Sequence, residues 1–266
     1  MCKNMHAPLQ HAESVQMLYD MMQNPISADW KRHIERFTNS TVLSIGKFLF
    51  IRDEIDREVP SDRIPDQSDF SRLPYVMSII KEVQRWRPLG GIAIPHSLSE
   101  DVWVDGKLLP KNATILTNIW ALSYDEKRYP NPELFDPDRF QGWTGYAAEY
   151  ANSADPDKRD HYAYGNGRRV CPGIHLAERN LLHVAAKMLW AFKMELTTDP
   201  ATGEPIVPDI NPETGYSEGL VLCVDDFPVE MKVRSAIRRK VIEESYDAAC
   251  IDVFAKYDEM NDTSTQ

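Results

Sequence analysis

Apolar and polar positions follow two rhythms along this chain, and the changes between them mark the elements. After a break at Asn24-Pro25, the positions Trp30, His33, Ile34, Phe37, Thr41, Val42 and Ile45 recur at helical spacing, with Ser27 or Asp29 placed to cap that helix. The first fifty residues read as helical on this pattern. An acidic segment from Arg52 to Glu58 ends at Val59-Pro60. The stripe Tyr75, Val76, Ile79, Ile80 and Val83 predicts a second helix from Leu73 to Trp86, stopped by Arg87-Pro88. Beyond it the rhythm shortens. Gly91–Ile94, Val102–Val104 and Thr114–Thr117 read as short strands, with Asp105-Gly106 as a tight turn and Asn112 in a left-handed position.

Tyr129 to Phe140 is proline-rich and irregular, and Gly142 to Asp160 reads as a polar loop. A third helix is predicted from Leu176 to Lys193; Leu181, Leu182, Ala185, Met188, Leu189 and Phe192 make it apolar nearly all round, as a buried helix is. Asp199 to Glu230 alternates turns with short strands, and the last thirty residues form a charged helical tail. The fold class expected is mainly α with small β-sheets (α+β).

Composition changes this picture little: 42% of the 266 residues are hydrophobic, as in an ordinary globular chain. Charge changes it more. The formal net charge of −11 is a poor match for nucleic-acid phosphates, so no nucleic acid is expected as a partner. No run of about 18 apolar residues appears, so no transmembrane anchor is expected, and Met1-Cys2-Lys3-Asn4 leads into no apolar stretch of a signal peptide. Four isolated cysteines, Cys2, Cys171, Cys223 and Cys250, form neither a disulfide framework nor a zinc motif.

One of them carries the chemistry. In Tyr164-Gly165-Asn166-Gly167-Arg168-Arg169-Val170-Cys171-Pro172-Gly173, the glycines let the backbone turn tightly and come close to something flat or bulky. Cys171 precedes a helix N-terminus, and that positive helix end together with Arg168 and Arg169 favours a thiolate suited to axial ligation of haem iron. The competing interpretation is a buried structural cysteine after a glycine-rich turn.

The segment resembles the haem-binding loop of the cytochrome P-450 haem-thiolate monooxygenases, F-x-x-G-x-R-x-C-x-G, with Tyr164, Gly167, Arg169, Cys171 and Gly173 on its fixed places and tyrosine where phenylalanine is usual. Two further segments agree in order: Glu82-Val83-Gln84-Arg85 fits the family's E-x-x-R signature, and Pro137-Asp138-Arg139-Phe140 the later one that supplies a second arginine. The resemblance implies the family's fold, present here as its proximal, C-terminal half and therefore incomplete. It makes Cys171 the catalytic residue and metal ligand, axial on the iron of a thiolate-ligated haem. It implies Arg169 and His96 as propionate contacts, although a turn histidine bonded to nearby backbone explains His96 equally well. Glu82, Arg85 and Arg139 would form a structural charge network behind the loop. Leu89–Ile94 and Ser217–Leu222 match places where family members line the substrate pocket, against ordinary strand packing.

The activity implied is insertion of one atom of O2 into a small organic substrate, with electrons from an NAD(P)H-linked flavoprotein reductase docking near Arg168, Arg169 and Lys187. The parts divide as a helical segment (1–51) similar to the middle of fungal members, a haem-binding half (52–235) and a charged tail (236–266), partly disordered. The family's distal helix, which covers the other haem face, has no counterpart in this text, nor has the N-terminal anchor that usually holds relatives at the endoplasmic reticulum. An alternative follows: a non-catalytic family member with weak or no haem binding.

Overall fold

The computed structural model describes residues 7–23, 26–27, 49–217, 219 and 221–255. The helical pattern from Trp30 to Ile45 and the end of the tail beyond Ala255 lie outside them. The chain opens with helix α1 (Ala7–Gln23), strand β1 (Ile26–Ser27) and helix α2 (Leu49–Glu58). The acidic segment is therefore the end of a helix, and Glu54 and Ile55 are its buried positions. A 3-10 turn, Phe70–Arg72, leads into α3 (Pro74–Trp86), within a residue of the helix the apolar stripe predicts.

Proline at the first position of α3 costs no hydrogen bond there, and the carboxylate of Glu54 satisfies two of the orphan amides: Tyr75 N–H donates to Oε1 at 2.9 Å and Val76 N–H to Oε2 at 3.0 Å. The helix ends at Arg87, ahead of Pro88, with the Arg87 N–H donating to the Val83 carbonyl.

Short antiparallel pieces follow. Strands β2 (His96–Ser97) and β5 (Thr114–Ile115) pair with each other, as do β3 (Val102–Val104) and β4 (Lys107–Leu109). Asp105 (φ 47°) and Gly106 (φ 73°) are both left-handed, as a two-residue hairpin turn requires, and Asn112 (φ 66°) is left-handed too. Gly91–Ile94 is not a strand: it holds a single bridge, Ile92 to Asn118, because the chain turns at once into helix α4 (Ile119–Ser123). The expected polar loop between Gly142 and Asp160 contains a short helix, α5 (Ala147–Tyr150), and ends on a fully buried aspartate.

Helix α6 (Ile174–Ala191) starts and ends two residues before the predicted helix; from Leu181 to Ala191 every side chain is buried. It runs directly into β6 (Phe192–Leu196), which pairs with β7 (Val229–Val233) in a three-stranded sheet ordered β1-β7-β6. Between them, the segment from Thr198 to Val224 contributes isolated bridges rather than strands. Helix α7 (Ala236–Ala249) begins at Ser235, whose hydroxyl accepts the Arg238 N–H, and lies against α1, where Tyr19 and Tyr246 stack with ring centroids 3.9 Å apart. The core joins α1, α2, α3, α6 and the sheet around Leu18, Ile55, Leu73, Leu182 and Trp190, which are all but inaccessible. The cysteine loop enters this core through α6.

Candidate functional site

The loop from Tyr164 to Gly173 folds back on itself. Gly165 N–H donates to the Tyr162 carbonyl (2.9 Å), Val170 N–H to that of Gly167 (3.1 Å) and Cys171 N–H to that of Tyr164 (2.9 Å). Gly165 (φ 77°) and Gly167 (φ 62°) occupy left-handed backbone; a Cβ at either would meet nothing within 4 Å, so backbone geometry rather than space requires glycine. At Gly173 a Cβ would stand 3.8 Å from Cys171 Sγ, an ordinary van der Waals contact, so this glycine is the one whose substitution would touch the sulfur. Cys171 is half-buried and free, and its carbonyl accepts the Ile174 N–H as α6 begins.

Arg168 and Arg169 follow Gly167 on a 3-10 turn, exposed and without an ion pair among the described residues. Lys187, expected beside them on a docking surface, is instead completely buried between α6 and α1: it donates to Ser14 Oγ and lies 3.2 Å from His11 Nδ1. Burial lowers its pKa to about 7. The reason is helical phase, which turns that face of α6 inward. His96 is exposed on β2, opposite Ile115. Leu89 accepts the Leu222 N–H at 2.8 Å, so the two segments matched to a substrate pocket do meet, and beside them Ile92, Ile94, Leu116 and Val221 leave apolar surface uncovered.

Behind the loop, Glu82 and Arg85 form a bidentate pair with no solvent exposure: Nε to Oε2 and Nη2 to Oε1, each 2.7 Å. Arg85 places its other N–H groups on the carbonyls of Ser123, Pro132 and Leu134. Arg139 approaches Glu82 only to 3.6 Å and donates to the carbonyls of Pro130 and Asn131. The three side chains therefore staple the irregular Tyr129–Phe140 segment to α3.

A second buried polar cluster on α3 has no counterpart in the sequence reading. Lys81 Nζ donates to Asp160 Oδ2 at 2.6 Å and lies 3.9 Å from Glu178 Oε1; all three are fully buried. Glu178 accepts the Ala147 N–H with both oxygens, and burial raises its pKa to about 7 against the pull of that amide and of Lys81. His161, adjacent to Asp160, is pushed down to about 4 by burial, with Asp160 opposing. One residue further round the helix face, Gln84 Nε2 donates to the Tyr164 hydroxyl at 2.6 Å. The only sequence signal was Lys81 and Gln84 at i, i+3 on a helix flanked by apolar positions.

Three ordered signatures, one bidentate buried pair and a half-buried cysteine at the head of a buried helix thus lie on one core. Comparison with known proteins agrees: the family model described as Cytochrome P450 matches residues 50–208, and the chain belongs to that family. It is 49% identical to a cytochrome P450 monooxygenase of the fungus Arthrobotrys oligospora, over 77% of this chain and 38% of that protein. It is 44% identical to one from Penicillium terrestre over the same shares. Among solved structures, a zebrafish cytochrome P450 with Abiraterone matches 86% of this chain and 44% of its own, with a TM-score of 0.57 and 26% identity. The chain thus spans well under half the length of these curated relatives.

Proposed function

We propose that this chain carries the haem-binding half (52–235) of a haem-thiolate monooxygenase. The observation that supports this best is the loop: a thiol just before α6, with open space above the left-handed Gly165 and Gly167. Among the described residues no group of three or more histidine, cysteine, aspartate or glutamate side chains is gathered for a metal ion, and Cys171 is the donor that this loop would offer to the iron of a haem. The residues fit that group. When bound, haem supplies the reductive activation of O2 from which one oxygen atom enters an organic substrate and the other leaves as water.

The chain's own contributions are then specific. Cys171 Sγ would be the ligand to the haem iron. Arg169, exposed and without an ion pair among the described residues, would hold a propionate, and His96, also exposed, a second one. Tyr164, Gly167 and Gly173 shape the loop that keeps the sulfur accessible from one side. Glu82, Arg85 and Arg139 keep the segment behind the loop in register. Arg168 and Arg169 offer local positive charge to an NAD(P)H-linked flavoprotein reductase, a contact that steers docking even on an acidic protein. The substrate class is a small organic molecule.

A second interpretation is a non-catalytic family member with weak or no haem binding. It is favoured by the uncovered apolar side chains, among them Ile94 at 75% exposure, because an oxygen-activating pocket works by excluding water. Two measurements separate these: haem titration followed by absorbance, and substrate-dependent NADPH consumption with a reductase. One-to-one binding with turnover supports the monooxygenase; binding without turnover, or no binding, supports the second interpretation.

A further inference from the structure

We infer that Lys81 is a positioning residue for the cysteine loop: its buried ammonium ties α3 to Asp160 upstream of the loop and to Glu178 downstream of it, and so fixes where Cys171 Sγ stands. What the sulfur does there rests on the haem-thiolate reading; the tie itself does not.

Lys81, Asp160 and Glu178 each have at most 1% of their surface exposed. A lysine is placed so only when its charge is matched, since an unpaired buried ammonium is strongly disfavoured. Here its Nζ donates to Asp160 Oδ2 at 2.6 Å and stands 3.9 Å from Glu178 Oε1 on α6, about two helical turns beyond Cys171. The other titratable group beside it, His161, is held neutral by burial, and the Tyr150 ring lies 5.0 Å from Nζ, so no further charge competes. The upstream end of the loop is thereby held to this atom by a hydrogen bond and the downstream end by a longer ion pair.

The connection to the sulfur runs through Tyr164. Its hydroxyl accepts from Gln84, one turn along α3 from Lys81, and its carbonyl accepts the amide of Cys171. Burial raises the Tyr164 pKa, so the hydroxyl that accepts from Gln84 stays neutral. Helix α3 thus carries two separate buried polar faces. Glu82 and Arg85 hold the Tyr129–Phe140 segment, whereas Lys81 and Gln84 hold the loop.

The test compares the wild-type chain with Lys81→Met, which keeps the stem and removes the charge. In the haem-free chain, hydrogen exchange at the bonded loop amides of Gly165, Val170 and Cys171 is expected to quicken roughly tenfold or more, while β6 and β7 amides keep their rates. Alkylation of Cys171 should speed up with that of Cys223 unchanged. After haem loading, the fraction showing the red-shifted reduced carbon-monoxide band should fall. A uniform acceleration across the molecule, or unchanged loop amides, would overturn the inference. If Lys81→Met does not fold, Gln84→Leu leaves the ion cluster intact and severs only the Tyr164 link; it must still loosen the Cys171 amide selectively, and an unaffected loop there overturns the inference equally. Failure of the wild-type chain to load haem would contradict the proposed function alone, because the exchange measurement needs no haem.

Discussion

Arg85 presents five N–H groups to a dry interior, and each one meets an acceptor. Removing it strands the Glu82 carboxylate with only the Asp136 amide (2.8 Å) and a distant Arg139. Arg85→Ala is therefore expected to cost about 3–5 kcal/mol, read as a lowered urea midpoint; a loss under about 1 kcal/mol would mean that the pair is solvated. Lys187 makes a pH prediction. Its folded pKa of about 7 lies below the ordinary lysine value of 10.5, so between those values the unfolded chain binds the extra proton and stability rises with pH. Denaturation midpoints should increase between pH 7.5 and 9.5, and Lys187→Met should flatten that rise; an unchanged slope would contradict it. Side chains at this scale were unevenly legible. Glu82 and Arg85 could be read from their spacing, because a family signature marked them. Lys81 and Lys187 could not, since a lysine beside apolar positions ordinarily lays its stem on the surface and keeps its charge in water. Only the tertiary packing of α1, α3 and α6 reveals that these two are enclosed.

Elements were read well where they carry their own signal. The stripe of α3, with Pro74 at its start and Pro88 after its end, placed that helix to within a residue, and Asp105-Gly106 placed the β3–β4 hairpin. Gly91–Ile94 failed because β-rich composition cannot show whether a neighbouring strand lies alongside; here the adjacent chain turns into α4 after one bridge. The short helix α5 was hidden for the opposite reason: only four residues long, it takes part of its cap from a distance, where Glu178 accepts the Ala147 N–H, beside a local one in which Tyr146 N–H donates to Glu149 Oε1. The same kind of remote capping starts α3. Glu54→Gln keeps one acceptor for the Tyr75 and Val76 amides and loses the charge, and is expected to cost about 1–2 kcal/mol in urea denaturation. A larger loss from Glu54→Ala than from Glu54→Gln would support the cap, whereas equal, negligible losses would remove it from the account. In the cysteine loop, Gly167→Ala meets no steric obstacle but must adopt φ near 62°, and should lose about 1 kcal/mol through backbone strain alone.

For the molecule as a whole, the core is built from helices that deliver one thiol to the surface of the fold, and the charged networks sit between that thiol and the rest. Family and loop were legible because three short motifs keep their order. The tie between Lys81 and both ends of the loop was not, since its partners lie far apart in the chain and meet only when α3 and α6 pack. The chain spans about 38% of its curated relatives' length, so the decisive question is whether the described half places its sulfur on haem iron. The reduced carbon-monoxide difference spectrum of the haem-reconstituted chain answers it. A strongly red-shifted Soret band that disappears in Cys171→Ala is the expected result. The same spectrum from both proteins would show that Cys171 is not the ligand and would contradict the account.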